Sequence, residues 1–116
     1  MTADDFRRLA LSLSEATEKS HFGKADFRVR NKIFATLPDS DKGVVKLTAD
    51  QQAMMCEAEP SVFQPVPGGW GRQGWTAVVI SAADEHTLRS ALATAWRNVA
   101  PKSLKRQRVG TGVSPR

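Results

Sequence analysis

Nucleophilic, acid–base and metal-ligating residue types are scarce in this sequence of 116 residues. His21 and His86 are its only histidines and Cys56 is its only cysteine, so it offers no spaced set of zinc ligands. Cys56 follows two methionines, a context that predicts a packed small hydrophobe. The carboxylate pairs Asp4-Asp5 and Asp84-Glu85 stand at the starts of predicted helices, where capping and the helix dipole account for them. We therefore expect no enzymatic activity, no metal and no cofactor.

A glycine-rich segment matches the dinucleotide-binding pattern G-x-G-x-x-G at Gly69-Trp70-Gly71-Arg72-Gln73-Gly74. That pattern needs a strand before it and a helix after it, so that the pyrophosphate meets the helix N-terminus. Here a proline-rich stretch precedes it and a strand follows, and we interpret it as a flexible or hairpin-forming loop. Trp70 and Trp75 could stack on bases, but a Trp at a strand edge more often packs in the core or at its rim.

The net charge of +5 and the isoelectric point near 9.9 suggest a nucleic-acid partner. Residues 101–116 contain five basic side chains and no acid, whereas residues 1–100 contain twelve of each. The whole excess therefore lies in the C-terminal segment. We expect residues 105–116 to form a basic, disordered tail, and Lys102, Lys105, Arg106 and Arg108 could hold a phosphate backbone.

A second basic cluster lies on and beside a predicted hairpin between Lys19 and Lys32. Alternation along this strand would place Arg28 and Arg30 opposite Phe27 and Val29, with the guanidinium groups directed outward. Such a ribbon could contact phosphates. The alternative is a solvated face, or an edge that its charges keep soluble. The cluster comprises five basic residues with Asp26 as the acid among them: Lys19, Lys24, Arg28, Arg30 and Lys32.

The first half of the chain predicts a helix, a meander of strands and a second helix. An apolar stripe from Phe6 to Leu13 predicts the first helix, capped by Thr2 with Asp5 and ending between Leu13 and Thr17. The predicted strands are Asp26 to Arg30, Ile33 to Leu37 and Val44 to Leu47. The centre of the hairpin is either Arg30-Asn31 or Asn31-Lys32. Thr48 with Gln51 predicts the cap of a helix that Pro60 ends.

The second half of the sequence predicts a loop rich in proline and glycine, then a strand and a long helix. Residues 60–74 contain three prolines and four glycines, with room for an edge strand at Val62 to Val66. Trp75 to Ser81 reads as a strand, and Ser81 with Asp84 predicts the capping box of the last helix. We expect an α+β fold, with an antiparallel sheet of about four or five strands and helices packed on one face. One domain would span residues 1–104, in a cytoplasmic protein without a signal peptide or membrane span.

Four short motifs, in this order and spacing, resemble the MmcQ/YjbR family of small bacterial proteins. The resemblance covers about residues 3–104 and implies a CyaY-like, double-wing arrangement and a DNA-binding role, without enzymatic activity. It also implies core or near-core positions for Phe27, Phe34, Trp75 and Trp96. Iron binding of the frataxin kind needs an acidic ridge and is not expected here. The motifs are His21 to Val29, Lys32 to Ala35, Gly74 to Thr76 and Ala95 to Lys102.

We therefore expect a protein that binds DNA chiefly through its phosphates, by means of the hairpin, Arg72 on the glycine-rich loop, and the tail. The alternative is a protein-interaction module that grips its partner through Val62, Phe63 and Trp70 of the loop 60–74. The predicted DNA-binding residues are Lys24, Arg28, Arg30, Lys32, Arg72, Lys102, Lys105, Arg106 and Arg108.

Overall fold

Six antiparallel strands in the order β1-β2-β3-β4-β6-β5 form the sheet of the computed structural model, which describes residues 1–104. The α+β class and the antiparallel sheet are confirmed, with six strands in place of four or five. The helices are α1 (Ala3–Leu11), α2 (Ala49–Ala58), α3 (Gly69–Arg72) and α4 (Glu85–Val99). The strands are β1 (Ala16–His21), β2 (Lys24–Val29), β3 (Lys32–Leu37), β4 (Lys42–Lys46), β5 (Phe63–Pro65) and β6 (Trp75–Val79).

Strand β1 is a strand that the sequence pattern did not predict. Its sequence, ATEKSH, has no apolar alternation, and the strand is held by backbone pairing with β2, from Ala16 opposite Val29 to His21 opposite Lys24. The first helix accordingly ends at Leu11, earlier than predicted. Phe22 and Gly23 turn the chain into β2 with φ of 53° and 79°. The pattern of apolar residues in a sequence cannot reveal a polar edge strand, because such a strand is held by hydrogen bonds between main-chain groups.

The hairpin between β2 and β3 turns at Arg30-Asn31, which settles the choice left open by the sequence. Both residues have positive φ, 51° and 68°, as a two-residue type I′ turn requires. The register then shifts by one residue, because Arg28 pairs with Ile33 whereas Phe27 pairs with Ala35. Phe34 is the additional residue, and both it and Ala35 are fully buried. The bulge thus lets β3 place two consecutive side chains in the core.

Helices α1, α2 and α4 lie against one face of the sheet, and the core lies between these helices and the sheet. Helix α4 packs on β3 and β4. The helical spacing of the sequence predicts an apolar stripe of Leu88, Ala91, Leu92, Ala95, Trp96 and Val99; the first five are fully buried and Val99 is half-buried. The Trp96 indole donates to the Ser14 carbonyl at 2.9 Å, so this large side chain is satisfied as well as buried. In residues 1–104 no helix is long and apolar enough to cross a bilayer.

The helix caps agree with the sequence at two sites and differ at a third. Thr2 and Thr48 both form the predicted capping boxes. The predicted box between Ser81 and Asp84 is wrong, because the chain makes a 3₁₀ turn at Ile80–Ala82 before α4. Asp84 is itself the N-cap and accepts from the Thr87 amide at 2.8 Å. Ser81 instead donates through its amide and hydroxyl to the Asp41 carboxylate, at 2.9 and 3.0 Å.

Candidate nucleic-acid interface

The side of the sheet opposite α1, α2 and α4 is not covered by these helices, and we call it the open face. Strand alternation decides which side chains point there, because Phe27, Val45 and Val78 point into the core and are fully buried. Their neighbours along each strand therefore point the other way. The pairing register gives the open face these side chains: Thr17, Lys19, Lys24, Asp26, Arg28, Ile33, Thr36, Lys42, Val44, Lys46, Gln64, Trp75, Ala77 and Val79.

An apolar groove crosses the open face and is bordered by two tryptophans. Its volume is about 320 Å³, and its lining is Ile33, Thr36, Pro38, Val44, Val66, Trp70 and Trp75. Trp70 is 62% exposed, and its ring meets that of Trp75 edge-on, with the centroids 6.0 Å apart and the planes at 67°. Trp75 is only half-buried and lies outside the core, because Thr76 and Val78 take the core side of β6. Its expected core or near-core position is therefore replaced by one on the open face.

A second groove of about 440 Å³ adjoins the first, since Thr36 and Pro38 line both. It leads to the β1–β2 turn, where the ring of Phe22 is fully exposed. The two grooves together form an apolar track that runs from Phe22 past Pro38 to Trp70. The lining of the second groove is Phe22, Lys24, Ala25, Asp26, Thr36 and Pro38.

The glycine-rich segment forms the short helix α3, in place of the flexible or hairpin-forming loop that we predicted. A Cβ on Gly71 would lie 1.9 Å from the Val66 carbonyl oxygen. At Gly74, where φ is +102°, a Cβ would lie 1.8 Å from the carbonyl oxygen of Leu47. Close packing of backbone on backbone therefore accounts for these two glycines.

The amide of Gln52 on α2 fixes the segment that carries both tryptophans. Its Nε2 donates to the carbonyls of Gly71 and Trp75, at 3.0 and 3.2 Å, and contacts the Thr76 hydroxyl at 3.1 Å. The hydroxyl of Thr76 in turn donates to the Gly74 carbonyl at 2.9 Å. These bonds attach α3 and the start of β6 to α2.

The two arginines of the predicted basic hairpin are each held by a carboxylate of the fold. Arg28 binds both oxygens of Asp26, at 2.8 and 3.1 Å, and Arg30 binds both oxygens of Glu15, at 2.6 and 3.2 Å. Hydrogen bonding to Asp26 raises the pKa of Arg28, and hydrogen bonding from Arg30 lowers the pKa of Glu15. The expectation of outward guanidinium groups free to bind phosphate is therefore corrected: Arg28 pairs with the one acid counted in the cluster, and Arg30 pairs with Glu15, which lies outside that segment.

Lysines take the place of these arginines as uncompensated cations on the open face. Within residues 1–104, Lys19, Lys24, Lys42 and Lys46 form no ion pair, and neither does Arg72 on α3. The Lys46 ammonium donates to the Gln73 carbonyl at 2.7 Å and lies 5.1 Å from the centre of the Trp75 ring. Both contacts leave its charge in place.

Other predicted site residues do not join this face. Lys32 lies at the start of β3 opposite Val29, with its side chain on the helix side, and Lys102 follows α4, which also lies on that side. Lys105, Arg106 and Arg108 lie outside the described residues. Lys42 and Lys46 were absent from the predicted set, although period-two alternation through Lys42-Gly43-Val44-Val45-Lys46 places them on one face.

The Cys56 thiol is partly buried on α2. Burial raises the pKa of the Cys56 thiol and so disfavours its nucleophilic form. Among the side chains that the structure describes, no three of His, Cys, Asp or Glu come together in a way that could hold a metal ion.

Comparisons with known proteins give a family and a structural relative. A family model described as YjbR matches residues 11–98 of the chain. A search of curated proteins finds no match. The crystal structure of Deinococcus radiodurans protein DR2400, described with a DUF419 domain, is similar, with a TM-score of 0.72 and 18% identity. The match covers 92% of this chain and 86% of that one, and at this identity it shows the fold alone.

Proposed function

We propose that this chain, which belongs to the YjbR family, is a non-enzymatic, cytoplasmic DNA-binding protein that contacts phosphates with the open face of its sheet. The observation that supports the proposal most directly is the charge of that face. The strands supply five basic side chains there and one carboxylate, Asp26, which is occupied by Arg28. The double-wing arrangement that the resemblance implies is part of the proposal.

The fold separates charges that nearly cancel along the sequence. Residues 1–100 contain equal numbers of acids and bases. Seven of the twelve carboxylates nevertheless lie on helices or at their caps: Asp4, Asp5, Asp50, Glu57, Glu59, Asp84 and Glu85. The same three helices also carry four arginines, Arg7, Arg8, Arg89 and Arg97, so their side holds a smaller excess of acids, whereas the strands of the open face hold an excess of bases. Such a distribution orients an approaching polyanion toward the sheet.

Lysines rather than arginines supply the contacts in this proposal. Arg28 and Arg30 already donate to carboxylates, so binding a phosphate would require them to leave those partners or share their donors. Lys19, Lys24 and Lys42 are exposed and can release condensed counterions from DNA directly. Tail residues Lys105, Arg106 and Arg108 would add contacts of the same kind.

The salt dependence of binding tests this assignment. We expect the double variant Lys19→Gln with Lys42→Gln to reduce the slope of log K against log salt by about two for a fluorescein-labelled duplex. The matched control is Lys32→Gln with Lys102→Gln, which removes the same charge away from the open face. Fluorescence anisotropy measures both. Equal losses in the two variants, or failure of the wild type to bind either duplex or single-stranded DNA at low salt, would contradict the proposal.

Exposure of Trp70 favours a second candidate, a protein-interaction module. Val62 and Phe63, which we expected to share this role, are buried in the core and cannot reach a partner. Trp70 remains available beside the apolar groove. In a pull-down, Trp70→Ala would lose a protein partner that the Lys19→Gln, Lys42→Gln variant retains. A loss of DNA binding in the Lys19→Gln, Lys42→Gln variant, with no protein partner captured by the wild type, would favour the DNA-binding proposal.

A further inference from the structure

We infer that the open face takes single-stranded DNA, whose unpaired bases lie along the apolar track from Phe22 to Trp70 while lysines hold the phosphates. The inference rests on the proposed function and specifies its substrate. It follows from three independent features of the track: its apolar middle, the aromatic side chains at its ends, and the cations beside it.

The middle of the track has the wrong chemistry for a duplex. Ile33, Val44 and Pro38 line it, with half-buried Trp75 beside them. A duplex stacks the faces of its bases internally and presents phosphates, sugars and polar base edges, which gain little from contact with such a surface. Unpaired bases present flat faces that stack on aromatic rings and displace water from apolar grooves.

The aromatic side chains at the two ends of the track are exposed to solvent. Trp70 is 62% exposed on α3, and the ring of Phe22 is wholly exposed at the β1–β2 turn. Phe22 also has φ of 53°, a left-handed conformation that a bulky residue rarely adopts and that Asn or Gly would tolerate better. A strained backbone that displays an aromatic ring to solvent points to a contact outside the chain.

A basic side chain lies beside each of the aromatic residues of the track. Lys24 lines the groove beside Phe22, Lys46 lies 5.1 Å from the centre of the Trp75 ring, and Arg72 is on the same helix as Trp70. The track crosses β2, β3, β4 and β6, or about 14 Å at the usual strand spacing. Alternating aromatic platforms and cations over such a distance match a short run of bases and their phosphates.

The experiment compares a single strand with a duplex, using the full chain. The probes are a fluorescein-labelled oligo-dT of about 15 nucleotides and a duplex of the same length, titrated at low salt by anisotropy. We expect Trp70→Ala and Phe22→Ala each to raise the Kd for oligo-dT about tenfold, and Trp70→Phe to restore most of the affinity. The Kd for the duplex should change less than twofold. The control is Met54→Ala, which truncates a similarly exposed apolar side chain on α2.

The outcomes separate the two proposals. Failure of both probes to bind would overturn the proposed function and this inference together. Binding of the duplex as tightly as oligo-dT, with no effect of Trp70→Ala on either, would overturn the inference and leave the proposed function standing. A loss with Met54→Ala equal to that with Trp70→Ala would also overturn it, because the effect would then not belong to the track. Thermal unfolding by circular dichroism identifies any variant that has failed to fold.

Discussion

Replacing Gln52 by methionine should detach the tryptophan-bearing segment from α2 and lower the stability of the protein by about 2 kcal/mol. The side-chain amide of Gln52 contacts three acceptors, Gly71 O, Trp75 O and Thr76 Oγ1, within 3.0–3.2 Å. Methionine has a similar shape and nearly the same helix propensity, so the substitution removes the hydrogen bonds without disfavouring α2.

The expected loss of stability follows from the number of hydrogens that the Gln52 amide can donate and from the other hydrogen bonds that its acceptors keep. An amide nitrogen has two hydrogens, so two full hydrogen bonds are lost, each contributing about 1 kcal/mol net. The larger free-energy cost of leaving a buried acceptor without any hydrogen bond does not apply to the two carbonyls, because each keeps another donor. The Trp75 carbonyl still accepts from the Val66 amide at 3.0 Å, and the Gly71 carbonyl from the Gly74 amide at 3.0 Å. A loss of about 2 kcal/mol corresponds to a fall in Tm of about 8 °C at this size.

Urea denaturation followed by circular dichroism gives the free energy of unfolding, and thermal scans give the Tm. The matched control is Gln64→Met, the same chemical change at an exposed position of β5, which should alter stability by less than about 0.5 kcal/mol. The reasoning is refuted if Gln52→Met unfolds at the same urea concentration as the wild type, or if Gln64→Met is destabilised as much.

Three further predictions concern a glycine, the thiol and a helix cap. Gly74→Ala should lose more than about 2 kcal/mol in urea denaturation, because strain at φ +102° adds to a backbone contact of 1.8 Å. Gly23→Ala has a similar φ and open space around it, so it should lose less. Iodoacetamide should modify Cys56 more slowly at about pH 8 in the folded than in the urea-unfolded chain, because burial raises its pKa; equal rates would contradict this. The pKa of Asp84 is lowered from its ordinary 3.8 chiefly by the Thr87 amide. Stability from this ionised cap is therefore present above that value and lost as pH falls through the lower folded value, so Asp84→Asn should flatten the acid end of a plot of Tm against pH.

Local signals in the sequence were sufficient for the elements whose form depends on neighbouring residues. The caps at Thr2 and Thr48 need only a side chain and an amide three residues away. The stripe of α4 repeats with the period of the helix, and the hairpin turns at Arg30-Asn31, where Asn tolerates positive φ. These features were therefore predictable, apart from the single choice of turn centre.

Features that depend on distant pairing were not predictable in the same way. The core side of β6 is set by its pairing with β4, and this pairing puts Trp75 on the open face. The contact between Arg30 and Glu15 joins a turn to the residue just before β1, a strand that the sequence pattern did not indicate. The pair of Arg28 and Asp26 could have been foreseen, since residues two apart on a strand share a face. The sequence thus placed both arginines on and beside the hairpin but did not show that each of them is paired with a carboxylate.

The polarity of β1 has a consequence for self-association. This strand leaves one edge of the sheet open, and an open edge of unpaired main-chain groups is where sheets of separate molecules join and aggregate. Glu18 and Lys19 lie in the middle of this edge. The opposite edge is only three residues long and ends at Pro65, which has no amide hydrogen to donate. Both edges thus oppose growth of the sheet from one molecule to the next.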